Sequence, residues 1–245
     1  MIAAFFDIDG TLYRNSLLIE NFKKLIKYEI VDHSIWFDRV KKPFESWSIR
    51  KGDYEEYLLD VSAAFKESLE GVEESVIEFI ANQVVSQHWE MTYVYTRKRI
   101  EWHKEQGHQI FFISGSPDFL VSKMAEHYGV RYYSASEYVI EDGHFRGKLN
   151  PMWDSENKKR ALNTFVKEQD IDLHASFAYG DTSGDFSMLE MVGHPIAINP
   201  NRNLVDLILK DDGIRKRMKI VVERKDMIYQ IDPESLMEGD SNESK

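Results

Sequence analysis

The sequence predicts an α/β protein in which a parallel sheet core is interrupted, after its first strand, by an all-helical insertion. Three observations carry this. Short continuous apolar runs recur along the chain and stop at turn or helix-start signals, as strands buried on both faces do. Helical stretches separate most of these runs, and that alternation is the pattern of α/β architecture. Between Leu12 and about Thr92 the apolar residues keep helical spacing with no convincing strand.

The first run, Ile-Ala-Ala-Phe-Phe at residues 2–6, ends at the turn-forming pair Asp9-Gly10 and reads as the opening strand. In the insertion, Leu18, Phe22, Leu25 and Ile26, then Val72, Val76, Phe79 and Ile80, mark amphipathic helices. Strands are expected at 109–114, 175–180 and 195–199. Ser116-Pro117 reads as N-cap and first-turn proline of a helix closed by Gly129. Asp142-Gly143, inside 138–149, reads as a tight hairpin turn, and a further helix runs from near Ser155 to about Gln169. Beyond Gly213 the chain is basic at Arg215, Lys216, Arg217 and Lys219, which suggests a solvated face, and the apolar stretches 220–222 and 227–231 read as edge strands. The expected division is an α/β core at 1–14 and 91–237, a smaller helical domain at 15–90, and a flexible polar tail at 238–245.

The chain has 245 residues, 42% of them hydrophobic, and a formal net charge of −11. That is globular composition, and the acidic balance disfavours nucleic acid as a partner because binding a polyanion needs clustered Lys and Arg. With no cysteine, disulfides, thiolate metal sites and thiol nucleophiles are excluded. No run approaches the ~18–20 apolar residues of a membrane span, and the first residues lack the basic flank of a secretory signal, so a cytoplasmic protein with no membrane partner is expected. The eight histidines show no zinc-ligand spacing.

Chemistry concentrates at predicted strand ends, the edge where open α/β sheets collect ligands. Asp7-Ile8-Asp9-Gly10-Thr11 follows the first strand; a D-x-D-G-T match arises by chance in only about a few chains per thousand of this length, which disfavours a mere cap or turn. Gly180-Asp181-Thr182-Ser183-Gly184-Asp185 adds two carboxylates at another strand end, a weak pattern taken alone. Ser114-Gly115-Ser116 offers a hydroxyl and consecutive N–H groups before a helix, a small anion site. Lys158 or its neighbour Lys159 opens the helix that precedes Gly180 and places an ammonium within reach of an anion.

Together and in this order, these four elements resemble the haloacid dehalogenase-like hydrolases, in particular the branch similar to phosphoserine phosphatases, over about residues 3–212. The resemblance implies a Rossmann-like parallel core with a helical cap between the first and second motifs, the interval from Asp9 to Ser114 leaving 105 positions for it. It implies a magnesium-dependent phosphatase that hydrolyses a small phosphorylated metabolite through an aspartyl-phosphate. By position, Asp7 resembles the nucleophile, Asp9 the general acid/base, and Ser114, Gly115 and Thr11 the substrate binders. Asp7, Asp9 through its carbonyl, and Asp181 would hold the metal; Asp185 would support the metal water or the lysine. Lys158 is preferred to Lys159 because it stands 23 residues before Asp181, the family's spacing. The physical logic is independent of the name: an ionised carboxylate attacking a dianionic phosphoryl group needs nearby positive charge and donors to offset repulsion. Asp9 is expected to have a pKa raised by the crowding of other carboxylates, so that it holds a proton part of the time. A phosphotransferase or mutase using the same aspartyl-phosphate, or a non-catalytic phosphate-binding module, are the alternatives.

The substrate is less legible. Phosphoserine phosphatases carry an acidic residue nine positions after the nucleophile to hold the substrate amine; here that position is Ser16, with Glu20 one turn on. No residue clearly matches the cap arginine that would hold a substrate carboxylate; Arg50 is no more than a candidate, a solvated charge being its commoner reading. Most aromatics of the insertion (Trp36, Phe37, Phe44, Trp47, Tyr54, Tyr57, Phe65) are expected in its own core, a minority lining a pocket.

Overall fold

In the computed structural model, which describes residues 1–239, one eight-stranded sheet forms the core. The chain runs β1 (Ala3–Phe6), α1 (Leu17–Lys27), α2 (Lys41–Ser48), α3 (Tyr54–Ser68), α4 (Glu74–His88), α5 (Val94–Glu105) and β2 (Gln109–Pro117). It continues with α6 (Asp118–Tyr128), β3 (Tyr132–Glu141), β4 (His144–Asn150), α7 (Ser155–Gln169), β5 (Phe177–Gly180), α8 (Phe186–Met191) and β6 (His194–Ile198). It closes with α9 (Arg202–Lys210), α10 (Asp212–Arg215), β7 (Lys219–Arg224), β8 (Met227–Ile231) and α11 (Pro233–Gly239). Strand order is β4-β3-β2-β1-β5-β6-β7-β8, parallel except for the antiparallel outer pairs β3–β4 and β7–β8.

The apolar run of β1 is central because it is buried on both faces: all four residues are inaccessible to solvent. Alternation sends Phe6 to the side packed by the inserted helices and α6, where it stacks on Tyr179 with ring centroids 4.1 Å apart. Phe5 points to the other side, against Phe111 and the α7–α9 layer. Register places Phe6 level with both Phe112 and Tyr179, so the residues that follow in β1, β2 and β5 emerge together at one sheet edge. This convergence positions the site.

The segment between β1 and β2 is helical, with the isolated bridges Asp9–Tyr13 and Tyr13–Thr92 as its only strand-like pairings among the described residues besides a bridge from Glu73 to His144. Its two ends are tied together, Tyr93 N–H donating to the Leu12 carbonyl at 3.0 Å. The hairpin turn at Asp142-Gly143 has φ of 51° and 72°, the positive pair a tight two-residue hairpin demands. Gly129 closes α6 with φ 60°, and α7 begins at Ser155 behind the capping side chain of Asp154.

Four sequence expectations differ from what is observed. Strand β2 runs on to Pro117, so Ser116 is a strand-end residue and not the N-cap of α6; its hydroxyl is engaged elsewhere, as described below. Strand β7 lies between β6 and β8, so of the two C-terminal strands only β8 is an edge. The basic segment is not simply solvated: Arg215 pairs with Asp212 at 2.6 Å, and Arg217 donates to the carbonyls of Val192 and Glu190. Of the tail expected at 238–245, Glu238 and Gly239 end α11, and residues 240–245 lie outside the described residues. Among the described residues no helix is long and apolar enough to cross a membrane.

Candidate active site

Lys158 is the pivot of the sheet edge. The Asp154 cap fixes the first turn of α7, and from that turn Lys158 projects into a pocket where it is only 3% exposed. Its ammonium donates to Asp7 Oδ1 at 2.7 Å and to Asp185 Oδ1 at 2.5 Å. Burial opposes the charge on the lysine, but Asp185 and Asp7 together raise its pKa, so it is a fixed cation. Lys159 is exposed.

Asp7, Asp181 and Asp185 each offer a carboxylate oxygen, all within 4.8 Å of one another and all buried. Three carboxylates against one ammonium leave the cluster short of positive charge. Burial, only partly offset by Lys158, and the neighbouring Asp185 push Asp7 up to about 7. Asp181 is likewise raised well above the carboxylate range by burial and by Asp7 and Asp185. Such a set of hard oxygen donors suits a divalent cation such as magnesium. Asp185 is the least free of the three: besides Lys158 it accepts from the Asp181 and Thr182 N–H groups, both at 3.1 Å, and from the Thr182 hydroxyl at 3.2 Å. Glycine is required at position 10, where φ is 78° and a Cβ would collide with the Asp181 carboxylate.

Thr11, expected among the substrate binders, is fully buried; its hydroxyl donates to Asp181 Oδ1 at 2.9 Å and orients that carboxylate instead. Asp9 turns away from the acidic cluster. Its carboxylate accepts from the Ser116 hydroxyl at 2.6 Å, the Ser16 hydroxyl at 2.9 Å and the Leu17 N–H at 3.1 Å. Its pKa is raised as expected, but the cause is burial rather than crowding by other carboxylates, and the three donors pull against it.

Asp7, Asp9, Ser114, Gly115 and Lys158 all line one cavity of about 370 Å³ between the core and the inserted helices. Ser114 is fully buried, its oxygen accepting from Ser116 N–H at 3.2 Å. Gly115 lets Trp153 approach, since a Cβ would stand 3.0 Å from the tryptophan's own. A second cavity of about 860 Å³ adjoins, lined by Gly10, Asp181 and the aromatics Phe44, Trp47, Tyr54 and Tyr57 of the insertion. Phe65 is in the insertion's core and Phe37 is exposed. Arg50 sits 5.7 Å over the Trp47 ring and lines this second cavity, not the one holding Asp7.

The bond from Ser116 to Asp9 and the contributions of Glu55 and Trp153 were not expected from the sequence. Ser116 was legible in principle, because residues two apart on a strand share a face and Ser114 and Ser116 therefore point the same way. Glu55 was not: it accepts from Ser183 N–H at 2.9 Å, Ser183 Oγ at 2.7 Å and Asn201 Nδ2 at 2.7 Å, contacts between residues more than a hundred apart. Trp153 likewise carries no local signal. Ser16, singled out as a departure, serves as the N-cap of α1 and as a donor to Asp9.

Chemically, the edge combines a buried carboxylate held by an ammonium, a second carboxylate whose pKa burial raises, and hydroxyl and N–H donors for an anion. Residues 4–190 match the family model of the haloacid dehalogenase-like hydrolases. A probable phosphatase of Mycobacterium tuberculosis is 23% identical over 214 residues, 82% of this chain and 70% of its own. A histidinol-phosphatase of Neisseria meningitidis is 24% identical, over 82% of this chain and 91% of its own. Among solved structures, a phosphoserine phosphatase in apo form superposes with a TM-score of 0.62 at 22% identity, covering 92% of this chain and 94% of its own. A Bordetella pertussis protein of unknown function superposes with a TM-score of 0.69 at 19% identity, over 85% and 94% of the two chains.

Proposed function

We propose, for a chain that belongs to the haloacid dehalogenase-like hydrolases, that it is a phosphatase cleaving a small phosphomonoester through a phosphoryl group carried on Asp7, with the inserted helices as its cap. The observation that carries the reading is Lys158, bridging Asp7 and Asp185 inside the cavity that also holds Asp9, Ser114 and Gly115. Relatives named as phosphatases support the reaction class.

Lys158 holds one oxygen of Asp7 and leaves the other to attack phosphorus. As the Asp7–phosphorus bond forms, the bond from phosphorus to the ester oxygen breaks, and Asp9 gives its proton to the departing alkoxide. Asp9, now a carboxylate, takes a proton from a water that attacks the phosphorylated Asp7, releasing inorganic phosphate and restoring both residues. The environment of Asp9 suits both halves: burial favours the protonated acid, while Ser16, Ser116 and Leu17 stabilise the carboxylate. Ser114 and the Gly115 N–H donate to the phosphoryl oxygens, and Lys158 offsets their charge. Asp7, Asp181 and the Asp9 carbonyl would hold magnesium, which when bound supplies the positive charge this acidic cluster lacks. Thr11 orients Asp181, and Asp185 orients Lys158.

Phosphate release from a panel of phosphomonoesters, with and without magnesium, tests the reading. Metal-dependent turnover that Asp7→Asn abolishes is expected. Turnover by Asp7→Asn equal to that of the unaltered protein would remove the covalent route, and no metal-dependent release from any ester would remove the phosphatase itself.

A further inference from the structure

We infer that the alcohol released at this site has an apolar body and no carboxylate. The inference rests on the phosphatase reading and concerns what lies beyond the phosphoryl group. On the cap side of the 370 Å³ cavity stand Leu18, Leu58 and Leu59, and Trp153 closes it from the core. Leu59 is 50% exposed on a helix that has a well-packed apolar face elsewhere, in Tyr57, Val61, Ala64 and Phe65. An exposed leucine at the rim of a reactive cavity is apolar surface left for a ligand to cover.

Charge points the same way. Among the described residues the only cation lining this cavity is Lys158, and it is already paired with Asp7 and Asp185. Beyond the catalytic carboxylates the remaining charged residues are Glu55 and Asp154, both acidic. A carboxylate on the leaving group would lose hydration, find no free cation to pair with and face two like charges. The arginines that would serve, Arg14, Arg50 and Arg202, line the larger cavity. Glu55 stands on the partition between the two, bonded to Ser183 on one side and to Asn201 on the other. The pocket therefore takes a neutral or cationic alcohol with an aliphatic or aromatic body, and rejects amino-acid phosphates.

A matched pair isolates the carboxylate: O-phosphoethanolamine is O-phosphoserine without it. With magnesium present, kcat/KM for phosphoethanolamine is expected to exceed that for phosphoserine by about tenfold or more, the cost of an unpaired carboxylate. From ethyl to propyl to butyl phosphate, kcat/KM is expected to rise about three- to fourfold per methylene as the leucines are covered. Leu59→Arg, a change at an exposed position, should shrink the phosphoethanolamine-to-phosphoserine ratio several-fold, chiefly through KM for phosphoserine. Phosphoserine turned over as well as phosphoethanolamine, a flat or falling alkyl series, or a ratio untouched by Leu59→Arg would each overturn the inference. Hydrolysis of p-nitrophenyl phosphate, run alongside, separates the two levels: if it proceeds, only the leaving-group assignment has failed, and if no ester at all is turned over, the phosphatase reading and this inference fall together.

Discussion

Replacing Lys158 with methionine is the sharpest test of how the acidic edge is held together. The substitution keeps much of the apolar stem and deletes the ammonium that touches Asp7 at 2.7 Å and Asp185 at 2.5 Å. Both carboxylates stay buried with Asp181 close by, and breaking a buried ion pair from one side costs about 3–5 kcal/mol. For a chain of this size that is a fall in Tm of about 6–20 °C. The pH dependence supplies the stricter criterion. A carboxylate whose pKa is raised by folding stabilises the fold below its unfolded pKa and loses that contribution as pH rises through the folded value. Asp7 already sits at about 7 with Lys158 present, and Lys158 is what lowers it. In Lys158→Met the deficit should therefore be largest near pH 8 in metal-free protein and should shrink as pH falls toward 5.5. Thermal unfolding at pH 8 and pH 5.5, with and without magnesium, measures it. A variant as stable as the unaltered protein at pH 8 without metal, or one relatively less stable at pH 5.5, would refute the reasoning that Lys158 neutralises a strained acidic cluster.

Other consequences follow from the same contacts. Ser116→Ala removes a donor that favours ionised Asp9, so its pKa should rise and the acid limb of the kcat profile should move up by about one pH unit, read from rates at saturating substrate. Chelation of divalent metal should lower Tm more at pH 8 than at pH 6, because Asp7, pushed up to about 7, takes up a proton at the lower pH and the cluster needs the cation less. Glu55→Ala should leave the core intact but speed amide exchange at the start of α3 and at 182–185, since it removes three hydrogen bonds between the insertion and the core. Phe6→Ala, which empties the space beside Tyr179 at the sheet centre, should cost about 3–5 kcal/mol in denaturant unfolding.

Much of this was legible in the chain because the physics is local. Phe5 and Phe6 announce a doubly buried strand, Asp142-Gly143 a hairpin with positive φ, and Asp154 through Gln169 a capped helix whose bounds match. The spaced acids at strand ends come together because parallel register aligns Phe6, Phe112 and Tyr179. What local pattern could not supply was the use of each polar group. Ser116 looked like a helix cap because Pro117 follows it, yet Asp9 lies within 2.6 Å and takes the hydroxyl. Thr11 looked like a ligand donor, and burial beside Asp181 commits it to that carboxylate. The raised pKa of Asp9 was expected from neighbouring acids; its side chain instead turns toward Ser16 and Ser116, and dehydration does the raising. Glu55, Trp153 and the apolar wall of Leu58 and Leu59 depend on how the insertion folds back over the core, which short-range periodicity does not encode.

The most direct test of the central chemistry is to look for the phosphoryl group on the protein. Acid-quenched samples taken during turnover of p-nitrophenyl phosphate with magnesium, using Asp9→Asn to slow hydrolysis of the intermediate, would be digested and mapped by mass. One phosphoryl group on the peptide containing Asp7, absent from Asp7→Asn, is the expected result. A phosphoryl group on another residue, or turnover with no phosphorylated peptide in either protein, would contradict a phosphatase that works through Asp7.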